Sequence, residues 1–265
     1  MSGPAGDLDS AAFTTDAFHR GRFFLVQPAR KGHRAGTDAL LLAAAVPPGF
    51  SGRVADLGAG AGAAGLAVAA RCPQARIVLV ENAPAMLACA HATLALAENA
   101  HLAPRCSVLD ADVRLAGDAR RGGGLADASF DYVILNPPFN PASDRPSPDA
   151  LRRQAHMIED AALLGDWLAT AASVAKPGGA AAVIARPQSL DEVVAALSPS
   201  FGAIEIRPVL PRADKPAIRF VARARRDASE AVSILPPLVL HGDAGNAFTA
   251  EAEAIGSGLA SLFDG

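Results

Sequence analysis

The chain predicts a doubly wound α/β fold built on a mostly parallel sheet, and three observations carry that expectation. Short apolar runs alternate with helical stretches between residues 54 and 197, the pattern of repeated strand–helix units with right-handed crossovers. The segment Asp56-Leu57-Gly58-Ala59-Gly60-Ala61-Gly62 follows the first of these runs and opens a helix. A later run, Tyr132-Val133-Ile134-Leu135, ends in Asn136-Pro137-Pro138-Phe139. Open α/β sheets bind ligands at the carboxyl ends of their strands, so both motifs are expected at one edge of one sheet.

Taken in order, residues 1–20 are expected to be flexible or loosely attached, and residues 23–27 to form a short strand followed by a basic loop. Residues 37–45 read as a helix with Thr37 or Asp38 near its cap and Pro47-Pro48 as its stop. Strands are expected at 54–57, 75–80, 106–109, 132–135 and 180–185. The helices between and after them fall at 63–71, 84–99, 160–175 and 190–197, the second with Pro84 in its first turn. Residues 120–128 read as a glycine-rich loop. Residues 140–153, rich in Pro and Ser, read as a long loop, and such loops at strand ends often bind substrate. After Phe201 the alternation stops. Strands at 203–209 and 218–224 have no helix between them, which predicts an antiparallel hairpin, followed by a strand at 234–240 and a helix at 249–262.

The chain has 265 residues, 51% of them hydrophobic, and a net charge of −3; this fits one large globular domain. Its three cysteines, Cys72, Cys89 and Cys106, lack metal-ligand spacing and are odd in number. They read as reduced core thiols, with no disulfide framework and no metal site. The acidic N-terminus has no apolar core and is no signal peptide, and residues 39–46 are too short to span a bilayer; the expectation is a cytoplasmic protein. Charge is unevenly spread. Arg20, Arg22, Arg30, Lys31 and Arg34 form one basic stretch, and residues 207–226 hold seven basic residues against the single acid Asp214. Charge runs are ordinarily solvated faces; the alternative is a phosphate-binding surface that includes Arg30, Lys31, Arg34, Arg212 and Lys215.

The glycines let the backbone turn tightly and approach a ligand. Gly60 to Gly65 also matches GxGxxG, with Glu81 at the end of the next strand, so a dinucleotide reading is legitimate. Asp56 weighs against it: a carboxylate there repels a pyrophosphate but attracts an ammonium. The loop with Asp56, Gly58, Gly60 and Gly62 therefore fits S-adenosylmethionine better than a dinucleotide. Glu81 can accept from both ribose hydroxyls. Asp112 can accept from the adenine amino group while Val113 offers its N–H, although a helix cap or solvated acid is the plainer reading of Asp112.

Methyl transfer is an in-line displacement in which positioning alone can supply ~7–11 kcal/mol. The Asn136 amide oxygen and the Pro137 carbonyl can accept the two N–H bonds of an exocyclic amine and aim its lone pair. Pro137 and Pro138 bring no competing donors. Phe139 can stack on the base, worth ~1–3 kcal/mol. No general base is required, because the methylated ammonium loses its proton readily. Asp144 and His156 read as solvated groups, and Phe23 and Phe24 as packing.

Together, Asp56-Leu-Gly-Ala-Gly and Asn136-Pro-Pro-Phe resemble the signature of amino-group S-adenosylmethionine methyltransferases. The segments Gly32-His-Arg-Ala-Gly36-Thr37-Asp38, Pro208-Val-Leu-Pro-Arg212 and Leu238-Val-Leu-His241 are similar to the bacterial valine-tRNA adenine-N6 methyltransferase family. That resemblance implies a Rossmann-like class I methyltransferase. Its sheet would have seven mostly parallel strands, an antiparallel C-terminal hairpin and helices on both faces. Residues 21–265 would form one domain: a cap segment (21–50), a cofactor-binding core (51–200) and a sheet-completing part (201–265). It further implies Thr37 near the methionyl end of the cofactor and transfer to N6 of an adenosine beside the anticodon of a tRNA; separately, the expectation is a monomer or homodimer with no stable protein partner evident. Guanine-N2 methylation of ribosomal RNA, glutamine methylation of a protein, and a silent cofactor- or RNA-binding factor remain alternatives.

Overall fold

The computed structural model describes residues 12–29, 35–138, 150–243 and 245–263, the stretch 150–161 as backbone. Its centre is a nine-stranded sheet. Five strands carry the alternating part: β3 (Gly52–Leu57), β4 (Ala75–Glu81), β5 (Cys106–Asp110), β6 (Phe130–Leu135) and β7 (Ala175–Ala185). All are parallel to their neighbours within this set. The antiparallel hairpin β8 (Phe201–Leu210) and β9 (Arg219–Arg226) inserts with β9 against β7. The order β5-β4-β3-β6-β7-β9-β8 contains the expected seven strands.

The remaining two strands replace a single expected one. Residues 234–240 do not form a continuous strand but two short ones, β10 (Ser233–Ile234) and β11 (Leu238–Val239), both parallel to β8. Pro236 and Pro237 lie between them, and neither can donate a ladder hydrogen bond. Most central strands read as unbroken apolar runs because both faces are covered. Val54, Tyr132, Ile134, Ala182 and Ile184 face the helices α1 (Thr37–Ala43), α2 (Ala63–Arg71) and α3 (Pro84–Ala95). Ala55, Leu57, Val133, Leu135 and Val183 face α5 (Ala150–Val174) and α6 (Leu190–Leu197).

Helix α2 is alanine-rich because it lies tightly on the sheet, and every residue from Ala63 to Ala70 is buried. A Cβ on Gly65 would come within 2.4 Å of Leu79 and 2.9 Å of Ile77. At the other end of the strands, Asp131 accepts from the Arg53 N–H at 2.8 Å and pairs with Lys176 at 2.7 Å, tying β3, β6 and β7 together.

Other elements depart from expectation for local reasons. Residues 13–18, placed by sequence in a flexible terminus, form β1 (Phe13–Phe18), antiparallel to β2 (Phe23–Pro28). Backbone groups of β2 are bonded by buried side chains: Val26 N–H donates to Thr93 Oγ1 and Phe24 N–H to Asn99 Oδ1, both at 2.9 Å. That second bond also explains why α3 stops at Ala95 rather than Asn99, since Asn99 turns onto β2. The glycine-rich stretch expected as a loop holds the short helix α4 (Gly117–Gly122), pinned by buried Arg120 on the Leu125 carbonyl and Asp127. Helix α5 begins ten residues earlier than expected, at Ala150. The last helix, α7 (Ala250–Gly256), is capped by the Thr249 hydroxyl and ends well before 262.

Candidate active site

The chain runs from β3 outward to β4 and β5, then returns to lay β6 on the other side of β3. This is the switch point at which open sheets make a crevice. Leu57 pairs with Leu135, so β3 and β6 end level, and Gly58 and Asn136 are the first residues beyond adjacent strands. A cleft of about 860 Å³ opens there, lined in part by Asp56, Gly60, Glu81, Val113, Asn136 and Pro137. Cavities of roughly 300–1,000 Å³ suit cofactors and small ligands.

The loop after β3 turns through three left-handed glycines, Gly58, Gly60 and Gly62, with φ of 69°, 56° and 96°. Gly58 is also sterically required, because a Cβ would lie 2.1 Å from the Trp167 ring. Asp56 projects toward α2, is 2% exposed, and accepts from the Gly65 N–H at 2.8 Å. Burial pushes its carboxyl up to about 7, the Gly65 N–H opposing and nearby Glu81 adding to the rise. Glu81 is fixed by backbone donors, with Gly60 N–H on one oxygen and Asn82 and Ala83 N–H on the other, each at 2.9 Å. The glycine loop, the β4 tip and the start of α3 thus converge on one carboxylate.

Asn136 is half-buried, Pro137 buried and Pro138 exposed. All three line the cleft; Phe139 lies outside the described residues, as do Arg30, Lys31, Arg34 and Asp144, and the His156 side chain is likewise not described. Thr37 is exposed on the cleft as the first residue of α1, whose cap position is Gly36 rather than Thr37 or Asp38. Asp38 instead pairs with Arg219 at 2.8 Å, and both line the cleft together with Arg186. Val113 lines it too. Its neighbour Asp112 is engaged by Arg114 at 2.6 Å, and that hydrogen-bonded guanidinium holds the carboxyl below its usual range.

The basic run at 207–226 is largely consumed inside the fold. Arg207 pairs with Glu251, Arg223 with Glu205 at 2.6 Å, and Arg219 with Asp38. Arg212, expected on an RNA-binding surface, donates to the carbonyls of Gly242 and Gly245 and holds that loop. Lys215 is exposed and pairs with its neighbour Asp214 at 3.0 Å.

Sequence reasoning missed Trp167, Arg186 and the Asp38–Arg219 pair. Trp167, on α5, is 7% exposed and lines the cleft, and its indole N–H has no partner among the described residues. A buried unsatisfied donor costs about 1–3 kcal/mol. Only its being the sole tryptophan marked it in the sequence. Burial raises all three thiols, Cys106 to about 11, which keeps them unreactive at neutral pH. Among the described residues no cluster of His, Cys, Asp or Glu could hold a metal ion, and no helix is long and apolar enough to cross a membrane.

The residues present fit S-adenosylmethionine. A deep acid suits an ammonium, a backbone-held acid at the second strand's tip suits a ribose diol, and Val113 offers its backbone beyond. The methyltransferase small domain family matches residues 30–207. A tRNA1(Val) (adenine(37)-N6)-methyltransferase of Porphyromonas gingivalis is 30% identical over 155 residues, 57% of this chain and 58% of that protein. One of Shewanella putrefaciens is 29% identical over 180 residues, 68% of each. The chain thus spans about three fifths of the Porphyromonas relative's length. A solved structure from Agrobacterium tumefaciens, described as a predicted O-methyltransferase, is 36% identical. Its TM-score is 0.74, over 85% of this chain and 98% of that one. A Thermus thermophilus 16S rRNA N2 methyltransferase, solved with AdoMet and guanosine, gives TM-score 0.54 at 21% identity over 81% of this chain and 50% of its own. That last likeness shows the fold alone.

Proposed function

The chain belongs to the methyltransferase small domain family, and on that premise we propose that it methylates an exocyclic amine, N6 of an adenosine near the anticodon of a tRNA. The observation that carries this reading is the level register of β3 and β6, which sets Asn136 and Pro137 beside the glycine loop in one cleft. When bound, S-adenosylmethionine supplies an electrophilic methyl group on a sulfonium. Asp56 would receive its ammonium, Glu81 its ribose hydroxyls, and Val113, with Asp112 beside it, its adenine. Thr37 stands at the rim, where the resemblance puts the methionyl end.

The Asn136 oxygen and the Pro137 carbonyl would accept the two N–H bonds of the substrate amine. Neither proline has an N–H to compete for those positions. Phe139, next in the chain, would stack on the base.

An amine acceptor is favoured over a hydroxyl by the cleft's own acids and bases. A hydroxyl needs a general base. Among the described residues lining the cleft, Asp38 is paired with Arg219, Glu81 is held by three N–H groups, Asp56 is occupied in this reading by the cofactor's ammonium, and no histidine is present. An amine can attack first and lose its proton afterwards. The adenine and tRNA parts of the reading rest on the named relatives and on the flanking segments Pro208 to Arg212 and Leu238 to His241.

Incubation with methyl-labelled cofactor and bulk tRNA, followed by nucleoside analysis, tests the proposal. N6-methyladenosine is the expected product. N2-methylguanosine, a ribose-methylated nucleoside or an unlabelled tRNA pool would overturn the tRNA adenine reading.

A further inference from the structure

We propose that the small cavity between α1 and α7 is a second base-binding site, where Phe248 stacks on an unpaired base of the same RNA that presents its target amine to the cleft. The inference rests on the RNA-methylation reading above and adds to it a site that neither motif reaches. The cavity measures about 210 Å³. That is below the roughly 300–1,000 Å³ that suits a whole cofactor and in keeping with a single ring system. Thr37, Leu41 and Leu240 line both the cavity and the cleft. The two sites therefore adjoin, and one loop of RNA can occupy both.

Phe248 is the observation that names the ligand. Phenylalanine is ordinarily buried, yet this side chain is 45% exposed. One face of its ring is covered by His241, with ring centroids 4.9 Å apart and planes 19° from parallel. The exposed area thus lies on the opposite face and edge, and the side chain lines the cavity. The stacked pair is also set before any ligand arrives. His241 and Phe248 face each other across an antiparallel bridge. Thr249 fixes the chain beside them, its N–H donating to the Leu240 carbonyl at 2.9 Å and its hydroxyl to the Val239 carbonyl at 2.7 Å. Unpaired RNA bases are recognised by stacking on aromatic rings and by hydrogen bonds to their edges.

Polar groups for such an edge line the same cavity. Arg20 and Glu253 form an ion pair at 2.9 Å there, both side chains being more than half exposed. The guanidinium only donates and the ionised carboxylate only accepts, so the wall offers both complements. The Ser257 hydroxyl donates to the same carboxylate at 3.2 Å and orients it. Both bonds fall on Oε1, and Oε2 has no partner among the described residues.

The test uses the full-length protein and bulk tRNA. It follows tRNA affinity by filter binding, KM and kcat by transfer from labelled cofactor, and S-adenosylhomocysteine affinity by calorimetry. Phe248→Leu keeps apolar bulk and loses the aromatic face. It is expected to weaken tRNA binding and raise the KM for tRNA by about fivefold or more, while kcat and S-adenosylhomocysteine affinity stay near wild type. Phe248→Trp is expected to restore binding. Wild-type tRNA affinity in Phe248→Leu, an equal loss in Phe248→Trp, or a fall in kcat or S-adenosylhomocysteine affinity at unchanged KM would overturn this inference alone, provided that the wild type still methylates tRNA. A wild-type protein that forms no methylated nucleoside in tRNA would bring down the RNA reading, and this inference with it.

Discussion

At the tips of β3 and β4 the carboxylates are held by backbone N–H groups, whereas at the start of β9 and along the hairpin the charges are held by one another. Glu81 takes three main-chain donors and Asp56 one, all from the loop and helix starts around them. Arg219 meets Asp38, Arg223 meets Glu205 and Lys215 meets Asp214. Backbone donors cannot move without unfolding a turn, so the first group is set before any ligand arrives. Lys215 and Asp214 are exposed, and such a pair is worth about 0–1 kcal/mol and exchanges partners readily, whereas the other two pairs are partly buried. One half of the cleft is thus fixed in advance, whereas on the other Arg219 and Asp38 hold each other through side chains alone.

The largest expected effect lies at the boundary of these halves. Asn136→Ala should reduce methyl transfer by about 100-fold or more, since misplacing the reacting atoms alone can cost that much. Its affinity for S-adenosylhomocysteine should stay near wild type. Transfer at wild-type rate would show that the amide does not grip the substrate.

A smaller effect should separate the halves by pH. Burial raises the Asp56 carboxyl to about 7, and only the ionised form attracts an ammonium. Binding of the cofactor's cation favours that form, so affinity should fall as pH drops below about 7, by up to about tenfold per unit. Asp56→Asn should bind weakly at every pH and flatten the profile. The same raised value costs stability in full above about pH 7, and that cost shrinks progressively as pH falls from about 7 to the ordinary carboxylate value of 3.8. A wild-type profile flat from pH 8 to pH 6 would remove Asp56 from the ammonium site.

The smallest effect belongs to the exchangeable half. Lys215→Glu should weaken tRNA binding modestly and reduce the slope of log affinity against log salt by about one. Arg212→Glu should act differently, by releasing the loop it holds through Gly242 and Gly245, and should lower thermal stability as well as binding. Equal, salt-independent behaviour of the two variants would erase the distinction drawn here.

How much of this was legible in the sequence follows from how local each signal is. The strands from 54 to 135 and the glycine loop were readable because unbroken apolar runs and left-handed turns are short-range demands. The level ends of β3 and β6 were readable because the two motifs each closed such a run. Strand β1 was missed because Phe13 to Phe18 has few apolar residues and depends on β2 for its pairing. Residues 234–240 read as one strand only when Pro236 and Pro237 are given too little weight; the structure has the two short strands β10 and β11 there. The basic run misled for a different reason. Its partners Asp38, Glu205 and Glu251 are remote or unmarked in sequence, and a count of charges cannot see them. Trp167 lies on a helix whose spacing reads as ordinary packing, and only the contact with Gly58 reveals the indole's place in the cleft.

The pairing of Leu57 with Leu135, tied at the far end of the strands through Asp131, also limits how this scaffold can change. Strand positions move in steps of about 3.3 Å, and a single step turns every side chain to the opposite face. The amide's reach toward the glycine loop is therefore quantised. A larger or smaller acceptor has to be accommodated by side chains and loops around the rim, because the strands that carry the chemistry cannot be slid to fit it.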